Sequence, residues 1–410
     1  MTASRNFTGF IWHAFWLALA ETFAEKNVVL PALILFIGGT QTQVGILTSL
    51  MIGVPLLSQL LFAGYLTGKP RKKYFLLGGI YLRVFAFLGV GLSIFFFDLF
   101  TPGSFILIIF FWMTIFSISG AFATVSYTDI VGKSFDYKER KKFFVTRQFI
   151  SSIGILISAV SVDQILTRIK YPYNYQTAFF AASVLLFIGA GGFWFLKEKP
   201  SEILNKYKNI KEIVRKIPHE LKSNSNLKYF VIASNLIGFT YVLIPFYIGF
   251  IKSGLTITPN MIGNFLIVQI TGMILSNFVW HKAVKKLSFK GMLRISATML
   301  SIVPIAALIL ALFNNVYFFY ILFLLTGSAI SAQKIAQEGV LVEISNEINR
   351  PLYIGIFGTL NFSSAIFPIL LGLIIHSTGY KIVFPALSVI TLSALYFINK
   401  MICPVDLEKI

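Results

Sequence analysis

The chain has 410 residues, of which 56 % are hydrophobic, 16 % aromatic and only 12 % charged, with a net charge of +19. Soluble domains carry about 25 % charged residues, so this much apolar surface exceeds what a core absorbs and lipid must cover the excess. One cysteine, Cys403, leaves no disulfide and no thiolate metal site to propose, and no cofactor or metal is expected.

A spanning helix needs about 20 mostly apolar residues, and the sequence is read as twelve of them. They fall at roughly 9–37, 43–66, 75–97, 104–128, 144–165, 178–196, 228–251, 260–280, 291–312, 316–341, 353–376 and 383–402. An "ALA" at Ala18 to Ala20 resembles a signal-peptide cleavage site, but the apolar pattern resumes from Val28 to Gly38, so the first span is expected to stay.

The connections alternate in character. Those after spans 2, 4, 6 and 8 are basic, as in "GKPRKK" and "HKAVKKLSFK", while those after spans 1, 3 and 9 hold no Lys or Arg. Of the 35 basic residues, 28 lie on the even side with the two termini and four on the other, leaving Lys26, Arg83 and Lys334 within spans. The positive-inside rule then places both termini and the even loops in the cytoplasm, in a cell (inner) membrane. The same bias accounts for the net charge without nucleic acid as a partner; the basic loops are topology signals that touch anionic head groups of the bilayer.

The long polar connection at roughly 198–226 divides the spans six and six, giving expected boundaries of 1–197 and 227–410 for two helical bundles. Within it, "KYKNIKEIVRKIPHEL" spaces its apolar residues as a surface helix would. Corresponding positions in the halves match: "GYLTGKPRKKYFLL" after span 2 with "VWHKAVKKLSFKGML" after span 8, and Asp129 to Arg140 after span 4 with Glu343 to Arg350 after span 10.

On these residues the chain resembles the major facilitator superfamily (MFS), whose two pseudo-symmetric six-helix halves are related by an axis along the membrane normal. The resemblance covers essentially the whole chain. That family's loop after span 2 reads G-x-x-x-D-R-x-G-R-K. Here Gly64, Lys69, Lys72 and Lys73 fit, whereas Gly68 stands at the acid position and Arg71 at the second glycine. "SFDYKERKKFFVTRQF", with Arg140 and Arg147, is similar to the family's R-G-R-F-F-x-x-R segment. "EISNEINRPLYIGIFGTL", with Glu343, Arg350, Tyr353 and Gly355, is similar to the segment leading into span 11. The resemblance implies an all-α membrane protein working by alternating access. It does not name a cargo.

Three acids and three bases are read within the spans: Glu21, Glu25 and Glu338, with Lys26, Arg83 and Lys334. Each costs about 2.5–3.5 kcal/mol at a helix centre, so each must face protein or water. At 1.5 Å per residue Glu21 and Lys26 lie roughly 18 and 25 Å into the first span, bracketing the midplane where transporters of this architecture keep their cargo sites. On a continuous helix Glu21 and Glu25 share a face and raise each other's pKa. That pattern reads as proton coupling or cargo contact, with a fixed ion pair between helices as the alternative. Gln269, near the middle of span 8, is the polar residue singled out as a cargo contact. Arg83, Gln333, Lys334 and Glu338 are read as gate or structural groups, and His13 and His376 as interfacial. With no phosphate-binding glycine loop and no catalytic constellation, no enzyme activity is expected. The sequence thus points to a monomeric secondary transporter of a small solute, coupled to protons through Glu21 or Glu25. A non-transporting sensor or lipid-handling protein on the same scaffold is the alternative.

Overall fold

A computed structural model describes residues 2–67, 69–135, 137–200, 210–345 and 350–402. Among them there is no strand. The helices are α1 (Thr2–Phe23), α2 (Val29–Phe36), α3 (Gln41–Thr67), α4 (Lys73–Phe95), α5 (Pro102–Ser134), α6 (Tyr137–Arg168), α7 (Tyr173–Trp194), α8 (Ile210–Ser223), α9 (Ser225–Tyr241) and α10 (Phe246–Gly254). They continue with α11 (Pro259–Ala311), α12 (Phe319–Glu343), α13 (Arg350–Thr359), α14 (Phe362–Ala365), α15 (Phe367–Thr378), α16 (Tyr380–Leu392) and α17 (Ala394–Lys400).

Eight stretches among the described residues are long and apolar enough by themselves to cross a bilayer: 73–95, 102–134, 142–168, 173–194, 225–254, 259–311, 316–343 and 380–400. They take in nine of the expected spans, because spans 8 and 9 run together in α11. Three expected spans do not stand out in this way, and two of these are interrupted. The first breaks between α1 and α2, and the eleventh falls into α13, α14 and α15. The "HKAVKKLSFK" connection extends the helix of span 8 to a break at Ser288, whose φ of 62° leaves helical geometry, so α11 is two helices that meet there.

Local chemistry sets the other boundaries. Thr101 caps α5, its hydroxyl accepting from the Ser104 N–H with Pro102 as the first helical residue. Gly38, at φ 99°, follows α2, and Gly379, at φ 77°, separates α15 from α16; both conformations suit a residue without Cβ. Pro245 precedes α10, where its missing N–H costs nothing. Asn235 bridges the break after α13, donating to the carbonyls of Val231 and Leu360 at 2.9 Å each and accepting from the Ser363 N–H.

By contact the chain groups into two units: Met1–Gly39, Leu50–Ile210 and Thr258–Gly263 form one; Thr40–Ser49, Lys211–Ile257 and Asn264–Ile410 form the other. In the first, α1 packs on α6 and α7, and α4 on α5 and α7. Small residues permit the closest crossings. A Cβ on Gly9 would lie 2.5 Å from the Gly192 carbonyl, and one on Gly327 would strike the Gln269 carbonyl. In the second unit α8 lays Ile217 and Leu221 onto Leu227, Val231, Tyr353 and Ile356. The surface helix read from "KYKNIKEIVRKIPHEL", whose first four residues lie outside the described residues, thus docks its apolar face on α9 and α13, and Asn224 caps α9 while donating to the Tyr353 hydroxyl at 3.0 Å.

The same three ties recur in each unit. Asn6, at the start of α1, exchanges two hydrogen bonds with the backbone of Lys197, just past α7; Asn226, at the start of α9, does so with Ile402, just past α17. Lys73 donates to the carbonyls of Trp194 and Leu196, and Lys290 to that of Met401. Asp129, near the end of α5, pairs with Lys72; Glu343, at the end of α12, accepts from the Phe289 N–H beside the Ser288 bend. Contacts that recur at corresponding positions, two of the three on the same residue type, are the mark of an internal structural repeat.

Candidate functional site

At 100° per residue, the nine positions from Trp12 to Glu21 rotate α1 by half a turn. Trp12 stands on an exposed face, so Glu21 points the opposite way, toward α4 and α5. There Arg83 of α4 donates from Nη2 to its carboxylate at 2.5 Å. The guanidinium lies 4.1 Å from the centroid of the Phe116 ring of α5 and passes Gly120, where a Cβ would stand 3.4 Å from its Nε. Burial is unequal: the Arg83 side chain keeps 9 % of its surface open, that of Glu21 49 %. The pair is thus anchored on its basic member, while its acidic member keeps about half of its side-chain surface uncovered by protein.

Glu25 is differently placed. The helix ends at Phe23, so the continuous face that would have joined Glu25 to Glu21 is interrupted. Its carboxylate accepts from the backbone N–H groups of Asn27 at 2.8 Å and Val28 at 2.7 Å and from the Asn27 side-chain amide at 2.8 Å. Its carbonyl takes the N–H groups of Val29 and Leu30. Four backbone N–H groups at the break converge on this one residue, two of them on its carboxylate, which explains an acid there on helix-capping grounds. Lys26 is exposed in the turn and makes no ion pair among the described residues.

A second charged cluster joins the ends of α4, α5 and α7. Lys72 pairs with Asp129 at 2.8 Å, Lys133 bridges Asp129 and Glu198, and Glu198 caps α4 by accepting from the backbone N–H groups of Lys72 and Lys73 at 2.8 Å. Glu198 is 2 % exposed, and sequence reading gave it no role. It supplies, from the far end of the half, an acid on the loop whose own acid position is Gly68. Lys69 lies over the Tyr65 ring and Arg147 over that of Tyr127. Gly64, Arg140 and Arg350 belong to α3, α6 and α13, and Gly68 and the side chains at these three positions lie outside the described residues.

These clusters sit on a scaffold with known counterparts. A family described as MFS/sugar transport protein matches residues 70–344. The chain belongs to that family. No curated protein matches the sequence. Among solved structures it shares the fold of the nucleoside transporter NupG (TM-score 0.68, 13 % identity, 98 % of this chain and 100 % of that one). It also shares the fold of a POT family transporter crystallised with a thioalcohol-conjugated peptide (TM-score 0.72, 15 % identity, 97 % and 96 %). A peptide transporter POT in complex with sulfate is a third (TM-score 0.71, 10 % identity, 96 % and 94 %). The protein is therefore a multi-pass membrane transporter of the MFS.

The second unit of this MFS protein holds a quieter polar set. Gln333 of α12 is 2 % exposed and accepts from the Ser296 hydroxyl of α11, while its Nε2 is buried without a partner. Gln269 is 1 % exposed, its Nε2 likewise unpartnered, beside the crossing where Gly327 meets its own carbonyl. Ser331 donates to Asn277 at 2.5 Å. Lys334 and Glu338 are exposed and form no ion pair with each other. Tyr353 is buried against α8, and a Cβ on Gly355 would meet open space. Two residues depart from their expected places. His13, expected at a span end, is buried within protein, its Nδ1 3.1 Å from the Gly189 carbonyl and its ring against Phe193. Asp163 belongs with the intramembrane acids although the sequence reading left it out; it falls in the fifth expected span, and its Oδ1 is buried without a partner, facing Gly263.

Proposed function

We propose that this MFS protein is a secondary transporter that moves a small polar solute by alternating access, with Glu21 as the carboxylate that exchanges a proton and Arg83 as its fixed counter-ion. The reading carries with it twelve spans in two six-helix halves at 1–197 and 227–410, both termini cytoplasmic, in a cell (inner) membrane. One observation supports it most: inside the first unit an ion pair is held by a buried arginine yet leaves its acid half open. An ionisable group within a span defaults to a functional reading, and an acid that keeps half its surface uncovered can change partner where one buried on every side could not. Protonation of Glu21, or arrival of a solute anion at Arg83, dissolves the pair and changes what holds α1 to α4. Nucleoside and peptide cargoes of the structural counterparts bracket the solute's class, small and polar, without choosing within it.

The test is solute movement in proteoliposomes under an imposed pH gradient, with candidate cargoes chosen by thermal stabilisation of the purified protein. Glu21→Gln is expected to abolish gradient-driven accumulation and spare downhill exchange. Retention of full accumulation by Glu21→Gln ends the coupling role, and an absence of any exchange by the wild type across the cargo panel ends the transporter reading.

A further inference from the structure

A groove of about 460 Å³ runs between α1 and α7 on the face of α1 that Trp12 shares, half a turn from Glu21, and so apart from the charged pair. Its floor is the Gly9–Gly192 crossing. Its walls are Trp12, 45 % exposed, and Phe195, 61 % exposed, and its mouth is Arg5. Gly191 keeps it open, since a Cβ there would meet nothing within 4 Å.

The polar groups along it look inward. The Trp12 indole N–H donates to the Ile188 carbonyl at 2.9 Å, and Arg5 Nε to the Phe195 carbonyl at 2.7 Å. The Nη groups of Arg5 have no acceptor among the described residues. The channel is thus apolar along its length with one guanidinium at its end, anchored through Nε and open through Nη. That end is also the basic one: Lys73 caps the same carbonyl-bearing end of α7, and Lys197 and Lys199 are exposed beside it.

We infer that this groove holds an anionic glycerophospholipid, one acyl chain lying over Gly191 between Trp12 and Phe195 and the phosphate on Arg5. Arginine's planar fork suits a phosphate, and anionic lipid is drawn to basic surface at head-group depth. A second membrane helix fits less well. Helix partners in lipid meet over small residues, and here Trp12 and Phe195 stand proud on either side of Gly191.

The test is native mass spectrometry of the delipidated full-length protein with phosphatidylglycerol, phosphatidylcholine of the same chains, or inorganic phosphate. The wild type is expected to retain one phosphatidylglycerol in preference to phosphatidylcholine and to ignore phosphate. Gly191→Leu starts from a Cβ with nothing within 4 Å, places its side chain in the groove and should lose that lipid. Arg5→Gln should keep a bound lipid but reduce the preference for phosphatidylglycerol about fivefold, the change that ~1 kcal/mol per basic residue at a head group gives. Arg5→Gln reads the head group whether or not Gly191→Leu folds. An unchanged preference in Arg5→Gln, full lipid retention by folded Gly191→Leu, or equal binding of inorganic phosphate overturns the site. So does a wild-type dimer that Gly191→Leu disperses, which would assign the groove to a second copy of the chain.

Discussion

Removing either member of the Glu21–Arg83 pair should not cost the same, and the difference is set by burial. Two unit charges about 4 Å apart attract by about 4 kcal/mol at an effective dielectric of 20. Half of the Glu21 surface is open, so screening there removes roughly half of this, leaving a coupling of about 2 kcal/mol. Glu21→Gln strands a guanidinium that is 9 % exposed and whose Nε already lacks a partner, so it forfeits the coupling and keeps the desolvation. Its expected destabilisation is about 2–3 kcal/mol. Arg83→Gln leaves a carboxylate that can hydrate, and the loss there is about 1 kcal/mol, chiefly the contact with the Phe116 ring. In the double variant no buried charge remains, and the losses should sum to less than the two singles by about 2 kcal/mol. Denaturant unfolding of the four proteins in micelles, read by tryptophan fluorescence, completes the cycle. A coupling energy under 0.5 kcal/mol, or Arg83→Gln falling below Glu21→Gln in stability, would refute the argument that burial of the arginine organises the pair.

Two further outcomes follow from the geometry. Glu198→Ala removes the acceptor of two backbone N–H groups at the start of α4 and one partner of Lys133, and should cost about 3 kcal/mol by the same unfolding measurement; a loss under 1 kcal/mol would show that solvent caps α4 equally well. Gly327→Ala places a methyl against the Gln269 carbonyl and should lower the unfolding temperature sharply or prevent folding, whereas Gly191→Ala, with open space at its Cβ, should match the wild type.

Much of the fold was legible because lipid imposes a coarse rule that periodicity and charge obey. The apolar runs at 75–97, 104–128 and 178–196 became α4, α5 and α7 with ends shifted by a few residues, and the spacing in "KYKNIKEIVRKIPHEL" read as a surface helix, though not what it docks on. Interruptions were not legible. Nothing in "AETFAEKNVV" announces that the helix stops at Phe23, because a run of helix formers is ended here by a capping carboxylate rather than by Gly or Pro. That one miss changed the meaning of Glu25. A four-residue spacing implies neighbouring carboxylates only while the helix between them is intact. Glu198 was hidden for another reason. Its partners are 65, 125 and 126 positions away, and a lone acid in a basic loop carries no spacing signal. Asp163 had a signal, an acid in an apolar run, that went unread.

The recurring ties within the two units say more about the chain's architecture than the sequence motifs do. Asn6 with Lys197 and Asn226 with Ile402 use one side chain to do one job, binding the first helix of a half to the tail of its last. The acids after the fourth helix of each half differ, Asp129 meeting a lysine and Glu343 a backbone N–H, yet both reach the start of the neighbouring helix. What recurs between the halves is therefore the position of each restraint, at the helix ends that carry the basic loops, with the same chemistry at the Asn and Lys ties and a different one at the acids. The charged pair breaks that pattern. Glu21 and Arg83 are a feature of the first unit, where an anchored cation faces an open acid, while the second unit sets the neutral amides of Gln269 and Gln333 in its interior. Restraints that repeat hold the scaffold. The element that does not repeat is the charged pair, and that asymmetry is what favours Glu21 over a residue of the second half for the proton exchange proposed above.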